Sequence, residues 1–114
     1  MIHKDDWVTV NEFGQSKAMI RKSEIERNGS LVRVPVQYVL DRPGTDKRSG
    51  RAVAEMIIIE EYVLGKSVFR AHRMALLYVD GGSSELMLEP QWKAATAGNE
   101  KTLMYLRGVT QRRH

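Results

Sequence analysis

Hydrophobic and polar residues alternate along much of this chain, and residues 31–40 show the pattern most clearly. Every even-numbered position from Val32 to Leu40 is apolar, whereas Arg33, Pro35 and Gln37 lie on the other side. A period of two residues predicts a β-strand with one buried face and one wetter face. Because Pro35 has no N–H to donate to a neighbouring strand, we expect a sheet edge or a bulge at that position.

Similar patterns predict five further strands, separated by turn signals. Residues 52–64 carry apolar side chains on both faces, which is typical of a central strand covered on both sides. Asn28-Gly29 and the segment 80–83 favour tight turns, because glycine accepts positive φ. Residues 23–27 can form a single helical turn. The other predicted strands are 7–10, 17–21, 68–79 and 86–88.

The pattern changes near the end of the chain. Leu103, Met104 and Leu106 recur at helical spacing, Asn99 is a suitable N-cap, and Gly108 is a natural stop. A helix of about three turns gains most of its stability by docking an apolar stripe. A series of strands followed by one helix predicts an α+β fold: roughly six antiparallel strands with a C-terminal α-helix packed on one face.

The length and composition indicate a single globular domain. The chain has 114 residues, of which 42% are apolar and 28% charged. We predict one domain over residues 1–114, with an ordered core at 6–107 and a flexible tail at 108–114. The chain has no cysteine, which excludes disulfides and cysteine-ligated zinc. The longest apolar run, 56–59, is too short to be a transmembrane segment.

The chain is basic, with a net charge of +4 and a pI near 9.6. Positive charge favours anionic partners, but the 18 basic residues are spread along the sequence, which favours a solvated surface of mixed charge. One loop, 43–51, combines glycine, proline and basic residues between two apolar stretches. The candidate partner-binding residues are Arg42, Lys47, Arg48 and Arg51. The alternative interpretation is a solvated loop that only connects two strands.

Two features of the sequence resemble motifs of known chemical sites. The tripeptide at 65–67 resembles the end of a phosphate-binding loop, but Glu60 occupies the position of the first required glycine. Glu60 and Glu61 are adjacent, so on a strand they point to opposite faces and cannot form a catalytic carboxylate pair. Glutamates are rarely buried, so surface positions are expected for both.

The histidines also lack the pattern of a known site. His3, His72 and His114 are widely separated, and no pair has the spacing of metal ligands on a helix. His72 is expected to be packed or half-exposed within a strand. No serine has an obvious histidine partner, and no nucleophile motif is present. We therefore predict no enzyme activity, no metal site and no cofactor.

Several landmarks occur in a suggestive order from about residue 7 to residue 106. Trp7 opens the first predicted strand, and Trp92 precedes the predicted helix cap by seven residues. The other landmarks lie in the segments KSEIERNGSLVRVPVQYVL, KRSGRAVAEM, VFRAHRMALLYVDGGS and PQWKAATAGNEKTLMYL. In this order, they resemble the surface-adhesin protein E family of bacterial proteins.

The resemblance implies an antiparallel sheet with a C-terminal helix and, as one option, a homodimer. It also implies binding of host extracellular-matrix or serum proteins such as vitronectin, laminin or plasminogen. Members of the family often carry two cysteines, in the regions that correspond here to 61–64 and Leu106, where this chain has none. An envelope or surface location is expected if a signal peptide has been removed, and a cytoplasmic location if Met1 is native.

The sequence thus predicts a non-enzymatic, adhesin-like binding protein of the bacterial envelope or surface that acts through protein–protein contacts. This prediction depends on the resemblance and on the lack of catalytic motifs. The alternative is a small basic intracellular domain that binds nucleic acid or another polyanion, with affinity that falls steeply with salt. Nucleic acid is the less favoured partner, because the basic residues are dispersed.

Overall fold

The computed structural model describes residues 6–111, which form an antiparallel sheet of eight strands and one C-terminal α-helix. The predicted α+β fold is therefore confirmed, with two more strands than the sequence indicated. The strands are β1 (Trp7–Phe13), β2 (Ser16–Arg21), β3 (Glu26–Asn28), β4 (Leu31–Thr45), β5 (Ala52–Val63), β6 (Val68–Tyr78), β7 (Ser83–Met87) and β8 (Lys93–Ala94), and the helix is α1 (Ala97–Gln111).

The strands pair in the order β1-β2-β4-β5-β6-β7. The two additional strands are β3, which pairs with the start of β4, and β8, which pairs with the start of β6. Both have three residues or fewer, which is too short for alternation to be visible in the sequence. The predicted helical turn at 23–27 is reduced to a 3₁₀ turn at Lys22–Glu24, because β3 begins at Glu26.

Pro35 lies in a central strand, at a point where the neighbour on one side changes. On that side β4 pairs with β3 through Arg33 and with β2 from Val36 onwards. On the other side Pro35 lies opposite Ile59 of β5. A residue without an N–H is tolerated there because no strand pairs with it on the interrupted side.

One face of the sheet, which we call the closed face, packs against α1 and contains the main core. The core residues have at most 2% of their surface exposed. They come from three strands and the helix: Ala18, Ile20, Val32, Val34, Val36, Tyr62, Leu103 and Leu106. The even-numbered apolar positions of β4 therefore form the buried side, as their alternation predicts.

The helix begins three residues earlier than predicted and continues past its expected end. Thr96, not Asn99, is the N-cap: its Oγ1 accepts a hydrogen bond from the Asn99 backbone N at 3.2 Å. The Asn99 Oδ1 in turn accepts one from the Thr96 backbone N at 3.2 Å, so the two residues form a reciprocal cap. Gly108 lies within the helix, which extends to Gln111; the rest of the predicted flexible tail, 112–114, lies outside the described residues.

The opposite face of the sheet, which we call the open face, is not covered by any element within residues 6–111. The apolar residues that the three central strands place on this face are half-buried. On the three central strands they are Pro35, Val39, Ile57, Ile59, Ala75 and Leu77, and we call this set the apolar strip. The expectation that β5 is covered on both sides is therefore wrong for the described part of the chain.

Among the described residues, no helix has the length and apolar character needed to cross a membrane.

Candidate functional site

The most unusual chemical feature of the protein is a pair of adjacent buried carboxyl groups on β5. Glu60 and Glu61 point to opposite faces of the sheet, as strand alternation predicts, and each is only 2% exposed. The expectation that both lie on the surface is wrong. Neighbouring strands supply hydrogen-bond donors to each carboxyl group, from residues 9 to 28 positions away in the sequence, and Glu60 also accepts from Tyr62 on its own strand.

Glu60 lies on the closed face between two tyrosines. The phenols of Tyr38 and Tyr62 each donate a hydrogen bond to its carboxyl group, one to each oxygen. The Asn99 side-chain amide donates to the Tyr62 phenol at 3.2 Å, which joins this cluster to the cap of α1. The helix cap and the buried carboxyl group are therefore parts of one hydrogen-bonded network.

Burial determines the protonation of this network. It raises the pKa of Glu60, although the hydrogen bonds from Tyr38 and Tyr62 oppose the shift. Burial and the charge of Glu60 also raise the pKa of Tyr38 and of Tyr62. Both phenols therefore stay protonated at physiological pH and act as hydrogen-bond donors.

Glu61 lies on the open face and is enclosed by three basic side chains. Its Oε2 accepts a hydrogen bond from Arg33 Nε at 3.1 Å and forms an ion pair with a terminal Arg33 nitrogen, also at 3.1 Å. Its Oε1 lies 2.6 Å from Arg70 Nε, which donates to it, and 2.5 Å from His72 Nε2. Arg70 also lies over the Trp92 ring, 4.4 Å from its centroid.

An irregularity in β6 brings His72 to this cluster. Ile59 pairs with Arg73 and Glu60 pairs with Ala71, so His72 is an additional residue on β6 at this point. Both His72 and Arg73 consequently lie on the open face. With 24% of its side chain exposed, His72 is packed or half-exposed, as predicted; His3 and His114 lie outside the described residues.

The surroundings of Glu61 favour its ionised form. Burial alone would raise the pKa of Glu61, but the hydrogen bonds and charges of His72 and Arg70 lower it below its ordinary value. Both carboxylate oxygens are occupied by these donors, so Glu61 has little capacity left to bind a metal or to accept a proton. We interpret it as an anion that fixes the positions of Arg33, Arg70 and His72.

The predicted partner-binding loop is anchored more firmly than its composition indicates. Asp46 is buried and accepts hydrogen bonds from the Tyr78 phenol at 2.6 Å and from Arg48 Nε at 3.3 Å. These bonds, with that from the Arg48 backbone, lower the pKa of Asp46. Arg51 donates to Asp80 at 2.8 Å and lies 3.8 Å from the centroid of the Tyr78 ring.

The four candidate partner-binding cations therefore fall into two groups. Arg48 and Arg51 are engaged in these intramolecular ion pairs. Arg42 and Lys47 are exposed and have no hydrogen bond or ion pair with any residue that the structure describes. The structure does not join the four into one cluster, and their role in binding a partner stays a prediction.

Arg73 is a further cation on the open face that sequence reasoning did not identify. Arg73 is exposed, lies opposite Ile59 and Met87, and has no ion pair within the described region. Met87 itself is 80% exposed. The side on which Arg73 lies depends on the irregularity at His72, which no sequence pattern indicates.

Within residues 6–111, no three or more histidine, aspartate or glutamate side chains are grouped in a way that could hold a metal ion.

Comparisons of the chain with family models, with curated proteins and with solved structures find no match. The resemblance to the surface-adhesin protein E family therefore stays a prediction based on the sequence landmarks.

Proposed function

We propose that this protein is a non-enzymatic binding domain that recognises a protein partner with the open face of its sheet. The observation that carries the proposal is the apolar strip, which crosses three neighbouring strands and is covered by no other described element. Gln37 and Glu55, which hydrogen-bond to each other, separate Val39 from the rest of the strip, so the apolar surface is continuous over Pro35, Ile57, Ile59, Ala75 and Leu77. Apolar surface of this kind on a folded protein commonly marks an interaction site. The resemblance to the adhesin family favours host matrix or serum proteins as the partner.

The border of the apolar strip indicates the chemistry of that partner. Arg73 offers a guanidinium beside Ile59 that is unpaired among residues 6–111, and Arg33 is 48% exposed although Glu61 holds it in place. Arginines fixed in this way lose little side-chain entropy on binding. The expected partner surface is therefore apolar at its centre, with a carboxylate at its edge for Arg73.

Surface plasmon resonance with immobilised vitronectin, laminin and plasminogen tests the proposal. The wild-type protein should bind at least one of them at micromolar concentration, and Ile57→Lys should weaken that binding by about tenfold or more, because it places a charge in the centre of the strip. Met104→Lys is the matched control. It makes the same charge change at a side chain of α1 that is 66% exposed, and should leave binding unchanged.

Thermal unfolding of both variants verifies that they remain folded. If none of the three proteins binds at micromolar concentration, or if Ile57→Lys and Met104→Lys weaken binding equally, the proposal is wrong. A homodimer that Ile57→Lys dissociates in sedimentation experiments would also contradict it, because a second copy would then occupy the open face.

Charge reversals distinguish the open face from the loop. Arg73→Glu should weaken partner binding, whereas Lys47→Glu, which makes the same change in the loop, should not. The opposite result would favour the loop cations. If Lys47→Glu and Arg42→Glu alone abolish binding, and the affinity falls steeply with salt, the polyanion-binding alternative is the better explanation.

A further inference from the structure

A cavity of about 430 Å³ opens on the other side of the molecule, between β1, β2, β4 and the first two turns of α1. Its lining includes Asn11, Phe13, Ala18, Tyr38, Gly98 and Lys101. The open face does not contribute to it. Its volume is within the range of small-molecule sites in proteins.

The walls of the cavity are mostly apolar. Ala18 is 2% exposed and lies at the bottom, where it belongs to the main core. Phe13 is 44% exposed and borders the cavity with its ring. A partly exposed aromatic ring beside an apolar floor offers a surface for the apolar body of a ligand.

Besides Thr96, Asn99 and Thr102, three polar side chains line the cavity, and two of them have no hydrogen bond or ion pair among the described residues. The amide of Asn11 and the ammonium of Lys101 form no hydrogen bond or ion pair with any residue between 6 and 111. A Cβ atom at Gly98 would lie 3.2 Å from Asn11 Nδ2. Glycine at this position therefore leaves room for the amide beside the cavity.

The third polar group is the phenol of Tyr38, which is held in place by a hydrogen bond to a buried side chain. Its hydroxyl donates to Glu60, which also accepts from Tyr62, so the orientation of the Tyr38 ring is fixed by two strands. The phenol oxygen keeps acceptor capacity, and a ligand that attracts its proton competes with Glu60 for it.

The charge of the lining residues indicates the charge of the ligand that the cavity can bind. Lys101 is the only charged side chain among the lining residues, and it is positive. Asn11 and Tyr38 can both donate hydrogen bonds. We propose that this cavity binds a small organic carboxylate with an apolar or aromatic body, with its carboxylate held by Lys101 and Asn11 and its body against Phe13 and Ala18.

The probe for the experiment is 4-phenylbutanoate, with the neutral 4-phenylbutanamide of nearly the same shape as the comparison. Titration of the ¹⁵N-labelled protein should give saturable shifts at the amides of Ala18, Gly98 and Lys101. A compound of this size is expected to bind with a Kd on the order of 1 mM, and the amide should bind at least about fivefold more weakly, because it lacks the charge that Lys101 recognises.

Lys101→Gln removes the charge and keeps a polar side chain that is one atom shorter, and it should reduce the affinity for the carboxylate to that for the amide. Lys47→Gln makes the same charge change in the exposed loop and should have no effect. Tyr38→Phe should also weaken binding, although less, since the ring remains. Ala97→Leu, which narrows the cavity from α1, should reduce binding of both probes.

The proposal is overturned if neither probe gives saturable shifts at the lining residues up to about 20 mM, a concentration well above the expected Kd. It is also overturned if the two probes bind equally, or if Lys101→Gln binds the carboxylate as the wild type does. Ile57→Lys on the open face should not alter this titration, so the site and the proposed protein-binding function can fail separately.

Discussion

Two glutamates on β5 show how strongly the surroundings of a carboxyl group change its pKa. Glu60 and Glu61 are neighbours with equal burial, yet the pKa of Glu60 is raised and that of Glu61 is lowered. Burial acts on both carboxyl groups in the same direction. The difference arises because burial outweighs the two phenol hydrogen bonds at Glu60, whereas the hydrogen bonds and charges of His72 and Arg70 outweigh burial at Glu61.

The raised pKa of Glu60 predicts a loss of stability as pH rises. Between the ordinary value of 4.5 and the higher folded-state pKa, the folded protein binds a proton that the unfolded chain has lost, so stability decreases as pH rises through the folded pKa. Glu60→Gln removes this titration; its amide oxygen can accept from one phenol and its NH2 can donate to the other. Thermal unfolding from pH 5 to 9 should show a smaller decrease of Tm with rising pH for the variant than for the wild type. At pH 9 the variant should be the more stable of the two proteins.

If the two proteins lose Tm in parallel over that range, Glu60 does not titrate there. Tyr38→Phe is a useful companion variant, because it removes one donor from Glu60 and should make the decrease of Tm with pH steeper than in the wild type.

Glu61 should have the opposite effect. Because its folded-state pKa is lowered, its contribution to stability is present above the ordinary value of 4.5 and is lost as pH falls through the folded pKa. Glu61→Ala should destabilise the fold at pH 7 by about 3 kcal/mol, since three basic groups lose their acceptor. Urea unfolding at pH 7 and at pH 3 measures this difference, which should be smaller at pH 3.

Arg73→Ala is the matched control for this prediction. It removes a cation from the same face, but one without an ion pair among the described residues, and should change the free energy of unfolding by less than about 0.5 kcal/mol. An equal loss in Glu61→Ala and Arg73→Ala would show that the Glu61 cluster does not stabilise the sheet.

Among the elements, α1 is joined to the sheet by its first residues as well as by its apolar stripe. Leu103 and Leu106 enter the core, while Asn99 contacts both the Thr96 cap and the Tyr62 phenol. The start of the helix is therefore coupled to the buried Glu60 network. A change at the cap is expected to affect the position of the helix on the closed face.

Removal of the Thr96 hydroxyl tests this coupling. Thr96→Ala should reduce the free energy of unfolding by about 1 kcal/mol, because the Asn99 N–H loses its acceptor and the reciprocal cap is broken. Thr96→Ser retains the hydroxyl and should restore most of that loss. Urea unfolding measures both variants, and similar stability for alanine and serine would exclude a capping role for the hydroxyl.

For the whole molecule, stability should decrease from the centre of the sheet towards its edges. β4 and β5 are flanked on both sides, and their closed-face residues Val32, Val34, Val36 and Tyr62 have no exposed surface. β7 and β8 are short and pair with a single strand each. Local opening depends on such differences in burial and pairing.

Hydrogen exchange followed by mass spectrometry measures this gradient. Peptides from 31–39 and 55–63 should exchange most slowly, and those from 83–87 and 93–94 should exchange much faster, because edge strands can open without exposing the main core. Uniform protection across all these peptides would contradict the prediction and would indicate that the sheet opens only as a unit.

The sequence alone determined the features that depend on local pattern. Alternation located the long strands and the buried side of β4, helical spacing located α1, and the order of elements predicted the α+β fold. The opposite orientations of Glu60 and Glu61 also followed from the sequence, because adjacent residues in a strand face opposite sides.

Tertiary structure determined which side chains are buried, which side of the sheet Arg73 occupies and which face of the sheet is uncovered. The burial of Glu60 and Glu61 depends on donors from β4 and β6, which chain pairing brings to β5 over 9 to 28 residues of separation. Asn99 of α1 joins the same network through the Tyr62 phenol, 37 residues away. The side on which Arg73 lies depends on the extra residue at His72, and the exposure of the apolar strip depends on where α1 docks. Local preferences do not encode these positions, because each one is fixed by contacts between distant parts of the chain.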